Sequence, residues 1–132
     1  MSMKAGRLGL GAEGERVAKA YLQTKGFRIL HENYSTPLGE IDLIAKEGGV
    51  VVFVEVKART SGAFGPPQAS VTLAKQRQII RVARLYLQRE GLADEAACRF
   101  DVVAVMFAGG QAGQPNVLLI RDAFSSEGIA LF

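Results

Sequence analysis

The stretch Gly39-Glu40-Ile41-Asp42-Leu43-Ile44-Ala45-Lys46-Glu47-Gly48-Gly49-Val50-Val51-Val52-Phe53-Val54-Glu55-Val56-Lys57 decides how this chain is read. From Gly39 to Ala45 it alternates Ile41, Leu43 and Ala45 against Glu40, Asp42 and Ile44, the period of two expected of a strand. From Val50 to Lys57 it is β-branched and apolar, and the Gly48-Gly49 pair between the halves suits a tight turn. The spacing therefore predicts an antiparallel hairpin. On its second strand Val51, Phe53, Glu55 and Lys57 share one face, while Val50, Val52, Val54 and Val56 form an apolar face opposite. With the turn setting the register, Asp42 comes near Glu55 or its neighbours, and two carboxylates converge beside one lysine.

That convergence has a chemical meaning. Two close carboxylates repel, and a hard divalent cation such as Mg²⁺, with Mn²⁺ as a substitute, relieves the repulsion while keeping positions open for water and phosphate oxygens. A bound cation acidifies its water and neutralises charge on a phosphoryl transition state, and an adjacent ammonium orients that water or stabilises the developing charge. Phosphodiester hydrolysis is the reaction these parts suit. Taken alone, however, Glu55-Val56-Lys57 also reads as a solvent-facing ion pair on an ordinary strand.

Outward from the hairpin, Val17, Ala18, Tyr21 and Leu22 recur at helical spacing, which predicts a helix from Ala12 to about Lys25 stopped by Gly26. The glycine-rich residues 1–11 read as a leader, leaving 12–132 as one domain. Phe27 to Tyr34 fits a short edge strand. After the hairpin, Gly62, Gly65, Pro66 and Pro67 mark a loop, and Ser70 or Thr72 caps a long helix that ends at Gly91. Arg99 to Phe107 and Asn116 to Arg121 read as two further strands, with a turn region from Gly109 to Gly113 between them. The predicted order is αβββαββ.

Composition narrows the function. The 132 residues are 48% hydrophobic and 22% charged, the balance of a single folded domain. The apolar run Val50 to Val54 is far short of the ~18 residues that suggest a membrane span. Met1 to Gly6 lacks the apolar core of a secretory signal and Cys98 has no cysteine partner, so a cytoplasmic protein is expected. One cysteine and one histidine, His31, are too few for a structural zinc site, so any metal is expected on oxygen ligands.

The same segments resemble a known family. Gly39-Glu40-Ile41-Asp42-Leu43-Ile44, with twelve residues intervening between Asp42 and the Glu55-Val56-Lys57 that follows, looks like the PD-(D/E)XK nuclease signature. More narrowly, the chain resembles the YraN-like family of bacterial endonuclease-like proteins, which are distantly similar to archaeal Holliday-junction resolvases. The likeness covers almost the whole chain. It includes Gly11-Ala12-Glu13-Gly14-Glu15, Phe64-Gly65, Ala69-Ser70-Val71 with Lys75, Arg99-Phe100-Asp101-Val102-Val103 and Asp122-Ala123-Phe124. It implies an α/β, restriction-endonuclease-like domain with a central mixed sheet flanked by helices, and a Mg²⁺-dependent endonuclease acting on DNA. The mapping makes Asp42 and Glu55 metal ligands, the Val56 carbonyl a third ligand, Lys57 the catalytic lysine and Glu15 a helix-borne catalytic acid. Glu15 also reads as a first-turn acid favoured by the helix dipole. Glu40 reads equally as a further ligand or as the partner of a surface cation. Ser35 stands where family members often carry an arginine, which removes one phosphate contact.

Charge placement points to a nucleic acid. Lys75, Arg77, Arg81, Arg84 and Arg89 fall in a segment without acids, so its charge of +5 exceeds the +3 of the whole chain. Arg77, Arg81 and Arg84 share one helix face, which reads as a phosphate-tracking stripe or as a solvated face. Arg59, two residues beyond Lys57, is the better single contact for the scissile strand. The expected partner is DNA, branched DNA included, and a junction-cleaving enzyme would need to be a homodimer. Two other readings stand beside this one: a nucleic-acid-binding module or partner-dependent subunit with little cleavage of its own, and a structural protein.

Overall fold

Among the described residues five strands and two helices follow one another as the hydrophobic pattern demands. The computed structural model describes residues 10–60, 71–92, 97–107 and 114–126. The elements are α1 (Leu10–Thr24), β1 (Arg28–Thr36), β2 (Gly39–Glu47), β3 (Val50–Arg59), α2 (Leu73–Arg89), β4 (Cys98–Met106) and β5 (Asn116–Phe124). The sheet order β1-β2-β3-β4-β5 repeats the chain order. Only the β3–β4 pair is parallel, joined by the crossover that contains α2; the other three pairs are antiparallel. This is the expected α/β architecture, in the expected order αβββαββ. Among the described residues no helix is long and apolar enough to cross a membrane.

β3 is central, and every residue from Val51 to Glu55 is buried. That is why its sequence is an almost unbroken apolar run. Its valines serve two cores. Val52 and Val54 pack with Leu43, Ala45, Val103 and Val105 beneath Ala18 and Leu22 of α1. Val51 and Phe53 pack with Ile44, Phe100 and Val102 beneath Ile79, Ile80, Val82, Ala83 and Tyr86 of α2. The helices thus cover opposite faces of the sheet.

α1 begins at Leu10 rather than Ala12, so Leu10 and Gly11 belong to the helix and not to a leader. Gly14 lies inside the helix, within the span expected from Ala12, and packing requires a glycine there. A Cβ there would stand 2.6 Å from the Ala58 Cβ, so glycine lets α1 approach the end of β3. The α2 cap is Thr72, whose Oγ1 accepts the Lys75 N–H at 3.2 Å. The expected loop residues Gly62, Gly65, Pro66, Pro67 and Ser70, and the turn Gly109–Gly113, lie outside the described residues.

Near the hairpin turn, charged groups tie four segments together. Glu47 accepts from both Arg99 and Arg121, and both guanidinium groups lie over the Phe27 ring. Hydrogen bonds from the two arginines hold the Glu47 carboxyl well below the usual carboxylate range, at about 2. Arg99 Nε also reaches both oxygens of the fully buried Asp101 at 3.0 and 3.1 Å, and the Asp122 N–H reaches Asp101 Oδ1 at 2.9 Å. Asp122 has φ 52° and sits past a register shift between Phe100 and Val102, so β5 bends and continues to Phe124 instead of ending at Arg121.

Candidate active site

At the other end of the hairpin the ladder stops and side chains take over. The two-residue turn at Gly48-Gly49, with Gly48 at φ 60°, pairs Glu47 with Val50 and carries the register to Leu43 opposite Val54. One step further, Asp42 lies across from Glu55. There the Val56 N–H donates to Asp42 Oδ2 at 2.8 Å, so a carboxylate occupies a bond that a continuing ladder would make through the backbone.

The simple alternation read for β2 fails at this point. Leu43 and Ala45 pack under α1, but Ile41 joins Ile44 under α2 instead of following Leu43. Glu40 and Asp42 therefore do not form a plain two-carboxylate face. Glu40 accepts from the Ser35 hydroxyl on the edge strand at 3.2 Å. Asp42 is turned toward β3.

Glu55 and Lys57 keep their alternation on the α2 side of β3, with Lys57 Nζ 3.4 Å from Glu55 Oε2. The Glu55 side chain is 7% exposed and that of Lys57 27%, so the carboxylate is buried and the ammonium opens toward solvent. Burial is the main reason that Glu55 is pushed up to about 7, and the Asp42 charge adds to it. A hydrogen bond to Asp42 also favours the protonated form, while the Lys75 and Lys57 ammonium groups act in the opposite direction.

The contrast with Asp101 is informative. All three of Asp42, Glu55 and Asp101 are buried, yet Asp101 has an arginine on both oxygens whereas Asp42 and Glu55 face each other. Two buried carboxyl groups that face each other, with Glu55 raised to about 7, are a set of hard oxygen donors suited to a small divalent cation, which would replace the Glu55 proton. Among the described residues no third Asp, Glu, His or Cys joins them in a metal-holding group.

Lys75 completes the constellation. It is half-buried in the first turn of α2, four residues before Ile79, and so extends the inward stripe that continues through Val82 and Tyr86. That stripe aims it at Glu55. Gln78 lies across Gly39, seating the start of α2 on β2. The sequence grouped Lys75 with the helix arginines; its four-residue spacing to Ile79 was the available sign that it faces inward.

The remaining expected residues are placed by their elements. Arg77, Arg81 and Arg84 face away from the core stripe by the ~100° step per residue, with Arg77 half-buried and Arg81 and Arg84 exposed. Arg59 closes β3, opposite Met106, on the Lys57 side of the strand. Glu15 is half-buried in the first turns of α1, next to Gly14 and so near the Ala58 end of β3.

Comparison with known proteins identifies the family. The model of a family described as Uncharacterised protein family UPF0102 matches residues 14–105. The chain belongs to the UPF0102 family. This is the family that the YraN-like resemblance indicated. A UPF0102 protein of Geobacter metallireducens is 44% identical over 115 residues, covering 87% of this chain and 91% of the relative. One from Anaeromyxobacter dehalogenans is 47% identical over 124 residues, 93% of this chain and 89% of its own. One from Symbiobacterium thermophilum is 47% identical over 115 residues, 87% of this chain and 95% of its own. This UPF0102 protein therefore shares nearly its whole length with its relatives.

Proposed function

We propose that this UPF0102 protein is a divalent-cation-dependent endonuclease that hydrolyses phosphodiester bonds in DNA, branched DNA included. The observation that carries the reading is the buried Asp42–Glu55 pair with Lys57 beside it. Burial and the facing Asp42 charge disfavour ionised Glu55 more than Lys57 and Lys75 favour it, and cation binding would give that cost a purpose.

Asp42 and Glu55 would hold the cation, with the Val56 carbonyl as the third ligand the family resemblance implies. The cation would supply acidification of water and neutralisation of phosphoryl charge. Asp42 is fixed by the Val56 N–H, so one of its oxygens is oriented before any substrate arrives. Lys57 is the group of this cluster that opens to solvent, and its ammonium donates to the attacking water or to a non-bridging phosphate oxygen. In hydrolysis a water oxygen bonds to phosphorus, one P–O ester bond breaks, and the departing oxygen takes a proton. Arg59 lies on the same side of β3, where it would hold the adjacent backbone phosphate.

The test is a cleavage panel of four-way junction, flap, single-stranded and duplex DNA with Mg²⁺, Mn²⁺ or chelator. Cation-dependent cleavage that is lost in Asp42→Asn and Glu55→Gln supports the reading; cleavage unchanged in either variant refutes it. The exposed Arg81 and Arg84 favour a second reading, a nucleic-acid-binding module. Chelator-insensitive DNA binding with no cleavage of any substrate would put that reading in front.

A further inference from the structure

In a regular strand, residues three apart point to opposite faces. Two pairs in this hairpin arm break the rule together. His31 and Tyr34 both make edge contacts with Tyr86 of α2, at centroid distances of 5.3 Å each. Ile41 and Ile44 both enter the core under α2. Each strand must therefore invert once between those positions. The register locates the inversions: Glu32 pairs with Leu43 and Tyr34 with Ile41, so the intervening residues Asn33 and Asp42 stand opposite each other. Asn33 has φ 51°.

We infer that Asn33 is a positioning residue for Asp42: its left-handed backbone inverts β1, β2 inverts to keep its pairing, and Asp42 turns toward β3, where its carboxylate meets the Val56 N–H and Glu55. Asparagine enters the left-handed region more readily than other residues with a side chain, and β-branched residues enter it least. The Asn33 side chain is exposed and makes no hydrogen bond to a described residue, so its contribution is the backbone conformation it permits. The alternative, a regular strand through residue 33, would leave Ile41 under α1 and break its contact with the α2 core. The inference deepens the nuclease reading by adding a residue that never touches substrate, and its value for catalysis rests on that reading.

The experiment compares Asn33→Gly, Asn33→Ala and Asn33→Val, with folding of each checked by circular dichroism and thermal melting. The first readout is amide hydrogen exchange at Val56 in chelator, relative to Val54, which lies within the regular ladder. Glycine at 33 should leave the Val56/Val54 ratio within about 2-fold of wild type; valine should speed Val56 at least about 10-fold, with alanine between. The second readout is Mn²⁺ affinity, which should fall in the same order, with Asp42→Asn as the reference for a lost ligand. An unchanged Val56 ratio in a folded Asn33→Val protein overturns the inference, as does a glycine variant as damaged as the valine one. If exchange follows the expected order but Asp42→Asn binds Mn²⁺ as wild type does, Asn33 still positions Asp42 and it is the cation assignment that fails.

Discussion

Replacing Glu55 by glutamine is expected to stabilise the cation-free protein while ending its activity. Glu55 titrates near 4.5 in an unfolded chain and is raised to about 7 in the folded one, chiefly by burial and then by Asp42. The folded state therefore binds the extra proton between those values, and stability falls as pH rises through that window. The favourable contribution is complete below about 4.5 and gone above about 7. A displacement of this size is worth about 3 kcal/mol at 1.36 kcal/mol per pKa unit. For 132 residues that corresponds to a Tm change of about 10 °C.

Glutamine imitates the protonated acid: it has nearly the same volume, carries no charge and donates to Asp42. In chelator at pH 8.5, Glu55→Gln should melt about 10 °C above wild type, and at pH 4.5 the two should agree within about 2 °C. Adding Mg²⁺ at pH 8.5 should raise the wild-type Tm and leave the variant unmoved, because only a state that binds the cation is stabilised by it. The assay is a set of thermal melts on a pH and Mg²⁺ grid. Equal melting temperatures at pH 8.5 in chelator would refute the claim that ionising the buried Glu55 costs this fold stability.

Two other outcomes follow from the same geometry. Lys57→Ala should slow single-turnover cleavage at saturating Mg²⁺ by at least about 100-fold, the scale of losing one transition-state donor, while DNA binding persists; wild-type turnover would reduce Lys57 to an ion-pair partner of Glu55. Arg77→Ala and Arg81→Ala should each lower the slope of log affinity against log salt by about 1, uniformly across DNA sequences, and an unchanged slope in both would return the outer helix face to solvent.

The hairpin was legible because its determinants are local. β-Branched density, a Gly-Gly turn and a period of two together fix the strands, and counting back from the turn brings Asp42 opposite Glu55. What could not be read depends on distant partners. Ile41, Leu43 and Ala45 look like one face of a regular strand, and only Tyr86 and the α2 core, which hold His31, Tyr34, Ile41 and Ile44 together, show that the alternation breaks. The reason for a glycine at 14, inside a helical pattern, is visible only once Ala58 is seen beneath it. Glu47 meets Arg99 and Arg121 across 52 and 74 residues, with nothing in the local pattern to announce the pairing. Lys75 was seen as charge, while its direction came from the helix it begins.

The tie among Glu47, Arg99, Asp101 and Arg121 also bears on how such a protein can change over generations. It fastens the turn end of the sheet, whereas Asp42, Glu55 and Lys57 gather within one short stretch at the other end. Substitutions that silence the acid pair leave the fastening intact and relieve a charge penalty, so selection for stability alone would favour them. A lineage that no longer needed the chemistry would lose it quickly and keep its shape. Retention of both acids and the lysine in a descendant is then a sign of continued use, and the overall fold is not.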